Sequence, residues 1–218
     1  MADFPIYSVL KRCADAVADR EPAAMFGLKQ EGYGSLYEQL ISCVLSIRTY
    51  DEVSIVASRR LFARARTPEQ MVQLSETELL DLIHDVTYPG QKAPNILRIS
   101  EEILENHGGT TPDTFEELTA FKGIGPKCAN LALGVALNRP VISVDVHVHR
   151  ITNRWGYVST TTPEKTLRAL QEQLPENLRV EINRVLVPFG KHICRGRYPK
   201  CGTCPVREDC AQVGVSGK

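Results

Sequence analysis

No run of apolar residues in this 218-residue chain approaches the roughly 20 that span a bilayer, so a membrane protein is not expected. The first residues, MADFPIYSVLKRCADA, lack a basic segment followed by a greasy one; no secretory signal is read there, and an intracellular location is expected. Net charge is missing as well, with 26 Lys and Arg against 26 Asp and Glu, so no global field gathers a polyanion. Internal repeats, low-complexity tracts and long linkers are absent. What remains is an ordinary globular composition, 43% apolar and 24% charged, long enough for one large domain or two small ones without covalent staples.

The charge that exists is unevenly placed. From Lys191 onward there are six basic residues (Lys191, Arg195, Arg197, Lys200, Arg207 and Lys218) against Glu208 and Asp209, so a basic tail follows a slightly acidic body. Helix starts recur along that body. Ser35-Leu-Tyr-Glu38, Ser75-Glu-Thr-Glu78 and Thr114-Phe-Glu-Glu117 fit the reciprocal Ser/Thr and Glu cap, and Thr67-Pro68 and Thr162-Pro163 put proline at the first helical position. Apolar residues follow at helical spacing: Leu36, Leu40, Cys43 and Val44; Leu79, Leu80 and Ile83; Ile96, Ile99 and Ile103. Many short helices are predicted. VISVDVHVHR, 141–150, dissents, because Val144, Val146 and Val148 alternate with polar residues as in a half-buried strand.

Two motifs carry chemistry. In LTAFKGIGPKCAN, one helix ends, Gly123-Ile-Gly125 turns, and Pro126 opens the next helix. Such a turn brings backbone close to a ligand and points free N–H groups outward, which suits a DNA phosphate; a helical corner without function has the same pattern. Lys127 falls in the first turn of the new helix, where the positive end of the dipole favours a neutral, nucleophilic amine. A solvated lysine on a phosphate-facing rim is the plainer alternative. The second motif crowds four of the seven cysteines, Cys194, Cys201, Cys204 and Cys210, into 17 residues as C-x6-C-x2-C-x5-C. A chain without a secretory signal uses such crowding for metal rather than disulfides. One compact loop with a single C-x-x-C reads as an iron–sulfur site, with zinc as the second choice.

Together the hairpin LTAFKGIGPKCAN, the aspartate of SVDVHVHR and the four-cysteine loop resemble the endonuclease III family of DNA glycosylases, over roughly Leu36 to Cys210. The resemblance implies an all-α fold: a six-helix barrel with the helix-hairpin-helix, residues 29–139, and a discontinuous cluster domain, residues 1–28 and 140–218, with the active site between them. It implies that Lys127 is the nucleophile, Asp145 the catalytic carboxylate, and the four cysteines the ligands of a [4Fe-4S] cluster. It also replaces the strand at 141–150 by a helix starting at Asp145, a residue whose alternative role is a plain cap. Gly123, Gly125, His147, Arg195, Arg197 and Lys200 are the expected DNA contacts, joined less firmly by Arg207; for His147 and His149 a satisfied polar role competes. The expected partner is double-stranded DNA with damaged bases or abasic sites, met by a monomer in the cytoplasm or at the nucleoid.

Two positions depart from the family's pattern. Arg48 stands where a glutamine commonly fills the space left by the flipped base; its guanidinium suits acceptors on the orphaned base, notably guanine, or else it binds a phosphate or blocks the site. Tyr88 stands where an aliphatic wedge is usual, and it either inserts between bases or packs on the barrel. The implied activity is excision of oxidised pyrimidines with β-elimination at the abasic site. The competing readings are a lyase or mismatch-type glycosylase with narrowed lesion range, and a non-catalytic cluster-bearing DNA-binding module.

Overall fold

The computed structural model of the chain describes residues 4–215, so Lys218 of the basic tail lies outside the described residues. Among these residues there are twelve α-helices and no strand: α1 (Ile6–Asp15), α2 (Ala24–Gln30), α3 (Leu36–Ser46), α4 (Asp51–Phe62), α5 (Pro68–Met71), α6 (Glu76–Leu82), α7 (Pro89–His107), α8 (Phe115–Ala120), α9 (Pro126–Leu137), α10 (Val146–Trp155), α11 (Pro163–Gln173) and α12 (Glu181–His192). The chain divides into two compact units, Ala24–Arg139 and a discontinuous one formed by residues up to Ala23 together with Pro140 onward. Among the described residues no helix is long and apolar enough to cross a membrane.

The caps form where the sequence places them. Ser35 and Ser75 accept the backbone N–H of Glu38 and Glu78, whose carboxylates take the serine N–H at 3.0 and 2.9 Å, closing both reciprocal boxes. Thr67, Thr114 and Thr162 accept from the N–H of Gln70, Glu117 and Lys165. Each such cap is worth on the order of 1 kcal/mol, because it satisfies a donor that the first helical turn leaves orphaned.

At the centre of the middle unit lies α3, buried on every face from Leu36 to Leu45 and packed against α2, α4, α7 and α9. A helix so enclosed finds internal partners for most of its polar side chains, although the Gln39 Oε1 and the Ser42 hydroxyl have none among the described residues. Glu38 pairs with Arg66 at 2.6 Å, the Gln39 amide donates to the Met25 and Tyr33 carbonyls, and the Tyr37 hydroxyl meets Ser100 of α7 at 2.6 Å. The discontinuous unit has its own core, in which Val9, Leu10 and Cys13 of α1 join Val148, Ile151 and Trp155 of α10 and Ile182, Leu186 and Phe189 of α12.

The alternation at 141–150 does not make a strand. Residues 141–145 have no regular structure, and α10 begins at Val146, a side chain 62% exposed, whereas Val148 and Ile151 are fully buried. Two-residue periodicity fails here because the capping carboxylate of Asp145 starts a helix, and from that point burial follows a spacing of three and four.

Candidate nucleic-acid interface and catalytic groups

The hairpin joins α8 to α9. Gly123 has φ +86°, a left-handed conformation open to glycine, and an added Cβ would lie 3.0 Å from the Asn95 amide nitrogen. Gly125 is the extended N-cap of α9 and Pro126 its first residue, so no donor is lost there. Helix α7 props the turn from beneath: the Arg98 guanidinium donates to the Lys122 carbonyl at 3.1 Å and to the Asn95 side chain at 2.5 Å. Lys127, in the first turn of α9, is exposed. Neither Asn95 nor Arg98 was singled out in the sequence, although Gln91, Lys92, Asn95 and Arg98 recur at helical spacing on one stripe of α7.

That stripe lines a cleft of about 780 Å³ in the middle unit, shared with Arg48, Tyr88, Lys122 and Gly123. The two departures from the family pattern thus come together. Both residues are left-handed, φ 55° at Arg48 and 57° at Tyr88, and the guanidinium carbon lies 5.8 Å from the tyrosine ring centroid. Such backbone strain in residues bearing a Cβ persists only where the surroundings enforce it. Here the Thr87 hydroxyl donates to the Arg48 carbonyl at 2.9 Å, and the Thr87 N–H donates to the Thr49 hydroxyl at 3.1 Å. Beneath them Lys92, only 6% exposed, donates to the carbonyls of Leu45 and Ile47 and to the Thr49 hydroxyl at 2.7, 2.8 and 3.0 Å. Its ammonium therefore caps the C-terminal end of α3. Burial nevertheless pulls Lys92 down to about 8.

Asp145 belongs to the discontinuous unit. Its Oδ1 accepts from the N–H groups of His147 and Val148 at 2.9 and 2.8 Å, which caps α10 and orients the carboxylate, leaving Oδ2 outside the cap. His147 lies 3.1 Å from the Arg150 guanidinium, and a Cβ on Gly190 would fall 2.3 Å from its Nδ1, so α12 approaches α10 this closely only with glycine. The His149 ring meets Thr166 at 2.6 Å, a satisfied structural role.

The four C-terminal cysteines line one pocket together with Arg154 and Trp155. Arg154 sits at the wall, donating to the Cys194 sulfur at 3.4 Å and to the carbonyls of Arg195 and Gly196 at 2.6 and 2.9 Å, while Arg150 donates to the Cys194 carbonyl at 2.9 Å. The Gln212 N–H points at the Cys210 sulfur at 3.4 Å. Burial pushes the Cys204 and Cys210 thiols up, and neighbouring thiols add to it, so four thiolates need a cationic centre to offset them. Among the described residues no three ligating side chains converge as a single-ion shell; the thiols are spread around the pocket wall. Arg195, Arg197, Lys200 and Arg207 are exposed on this loop. Arg150 and Arg154 escaped the sequence reading, and their one signal was a spacing of four on α10.

Helical composition, glycine hairpin and four-cysteine loop coincide with a known family. Residues 41–176 match the model of the HhH-GPD superfamily base excision DNA repair proteins, and the chain belongs to that superfamily. Within it, the chain is similar to endonuclease III of Thermotoga maritima, 44% identical over 182 residues that cover 84% of this chain and 85% of the relative. Endonuclease III-like protein 1 of Bos taurus is 40% identical over 177 residues, 80% of this chain but 58% of that longer protein. Among solved structures, a trapped endonuclease III–DNA covalent intermediate superposes with a TM-score of 0.80 at 26% identity, covering 95% of this chain and 94% of that one. The chain is accordingly an enzyme of base excision repair, a DNA glycosylase with abasic-site lyase activity, and damaged DNA is its partner.

Lys92 makes a prediction in the middle unit. Its folded value near 8 lies below the roughly 10.4 of an unfolded lysine, so between these limits the unfolded chain binds more protons and stability rises with pH. Urea unfolding followed from pH 7.5 to 10.5 should show a steeper rise in the parent than in Lys92→Met. At pH 7.5 the variant should also be weaker by about 1–3 kcal/mol for each buried acceptor left unpaired.

Proposed function

We propose that Lys127 is the nucleophile of this enzyme and Asp145 its catalytic carboxylate, acting on oxidised pyrimidines and on abasic sites. The observation that carries the reading is the setting of Lys127: exposed, in the first turn of α9, directly behind a glycine turn that α7 braces. A lesion inside a duplex is out of reach, so the nucleotide is turned out, and a base that pairs or stacks poorly costs less to extrude. Phosphate is gripped by N–H groups of the turn at Gly123 and Gly125 and by Arg195, Arg197 and Lys200, with His147 beside the α10 terminus.

The neutral Lys127 amine attacks the sugar C1′ as the C1′–N bond breaks, and the base departs with the bonding electrons and a proton. Oδ2 of Asp145, the oxygen not engaged in the cap, takes the amine proton or faces the positive charge developing on the sugar. The opened sugar is then held as a Schiff base to Lys127. Loss of the C2′ proton expels the 3′ phosphate, and water releases the lysine. Arg48 and Tyr88 enter the space vacated by the nucleotide, the tyrosine as a wedge and the guanidinium, a donor without acceptors, toward the O6 and N7 of an orphaned guanine.

Cys194, Cys201, Cys204 and Cys210 are the residues that would hold a [4Fe-4S] cluster. Thiols distributed around a pocket wall, Cys194 beside the Arg154 guanidinium and Cys210 beside the Gln212 N–H, suit a group with several irons better than one zinc ion. The cluster would tie the four thiolates together and so hold the basic loop in shape, and the bond cleavages above need no electrons from it. An enzyme of chromosomal DNA works inside the cell, here in the cytoplasm or at the nucleoid.

Borohydride trapping on abasic DNA should yield a covalent adduct that disappears in Lys127→Ala and in the charge-preserving Lys127→Arg; an undiminished adduct in either refutes the assignment. Asp145→Asn keeps an oxygen for the cap but loses the charge, so base excision should fall by about 10²–10⁴ with the unfolding midpoint nearly unchanged. On duplexes carrying one oxidised pyrimidine, the parent should prefer an opposite guanine over adenine. Arg48→Gln should shrink that preference by roughly tenfold, consistent with about 1–3 kcal/mol per base contact. Purified protein should be brown and lose its visible absorption in Cys204→Ser, whereas a colourless protein that releases zinc would refute the iron assignment.

A further inference from the structure

Two thiols of the middle unit take no part in the chemistry above. Cys43 lies in the last turn of α3 and Cys128 in the first turn of α9; both are buried, both are free, and their sulfurs are 2.7 Å apart. That separation exceeds the roughly 2.05 Å of a covalent bond by well under 1 Å, so little movement brings the sulfurs to bonding distance. The two residues are 85 positions apart, on helices packed against each other, so only the tertiary fold pairs them. The other five cysteines all belong to the discontinuous unit.

We propose that Cys43 and Cys128 form a redox modification site, a reversible disulfide that ties α3 to the second helix of the hairpin. The pair is built for it chemically. The contact between the two sulfurs and the positive charge of Lys127 push the Cys43 thiol down, while Cys128 is pushed up by the same contact and by burial. Cys43 is thus the more acidic of the two and attacks first, and Cys128 resolves it. With a small peroxide as oxidant, the Cys43 sulfur attacks one oxygen, the O–O bond breaks, and a sulfenic acid forms with release of water. The Cys128 sulfur then displaces the sulfenic oxygen as a second water, so two thiols lose two electrons and two protons to one peroxide. Both thiols are buried, so a peroxide reaches them through local opening of the first turn of α9, next to exposed Lys127 and the cleft that Val44 lines. Inside cells such bonds are transient and redox-sensing, and this one forms one residue from the proposed nucleophile. Its formation is independent of the role given to Lys127.

The test uses the full-length holoprotein, exposed to hydrogen peroxide, alkylated at its remaining thiols, digested without reduction and mapped by tandem mass spectrometry. The expected result is a linked peptide pair joining Cys43 to Cys128, two hydrogens lighter than the separate peptides, absent before oxidation and abolished by dithiothreitol. In Cys43→Ser and Cys128→Ser the surviving partner should be recovered alkylated or singly oxidised. The proposal is overturned if the oxidised parent yields both cysteines alkylated, both as unlinked sulfinic or sulfonic acids, or either one joined to a different cysteine. Because the decisive measurement is made on the parent chain, it does not depend on whether a variant folds.

Discussion

The buried ammonium of Lys92 holds the end of the central helix to the wall of the cleft that Arg48 and Tyr88 line. Helix α3 is enclosed on all sides, and its last carbonyls, with Ile47 beyond them, would otherwise face an apolar interior without partners. Three donors on one nitrogen satisfy two carbonyls and the Thr49 hydroxyl, and Thr49 in turn takes the Thr87 N–H. One charge therefore fixes two loops, and with them the left-handed Arg48 and Tyr88. Its cost is visible in the same place: burial opposes the charge that the carbonyls require and pulls the amine down to about 8.

Helix starts do parallel work in both units. Gly125 and Pro126 start α9 without a side-chain cap, whereas Asp145 covers the first turn of α10 with one oxygen. The same physical fact, that the first N–H groups of a helix have no internal acceptor, meets no side-chain cap in one case and yields an oriented carboxylate in the other.

The cysteines fall into two populations with different chemistry. Those of the C-terminal loop sit beside Arg150 and Arg154, whose guanidiniums brace the loop backbone and one sulfur, an environment for ligating thiolates. Cys43 and Cys128 sit beside Lys127 and Lys92 inside the middle unit, with each other as partner. Proximity to cations lowers the cost of a thiolate in both places. Spacing in the chain separates them: four sulfurs within 17 residues come to one pocket at little chain-closure cost, while two that are 85 apart meet only through helix packing.

Local chemistry was legible in the chain alone, because caps, proline starts and glycine turns act over three or four residues. Ser35, Ser75, Thr67, Thr114 and Thr162 begin helices as their neighbours dictate, and the hairpin and cysteine loop announced themselves for the same reason. The alternation at 141–150, which by itself reads as a strand, marks the limit of that locality, since it does not say which face is buried until Asp145 has started a helix. Arg48 and Tyr88 drew notice singly, but their stacking did not. Asn95 and Arg98 under the hairpin, Arg154 at the cysteine pocket, the glycine that α12 needs beside His147, and the paired Cys43 and Cys128 were decided by tertiary structure. Each is a contact between side chains far apart in sequence, and its energy depends on burial and distance that no short stretch of residues encodes.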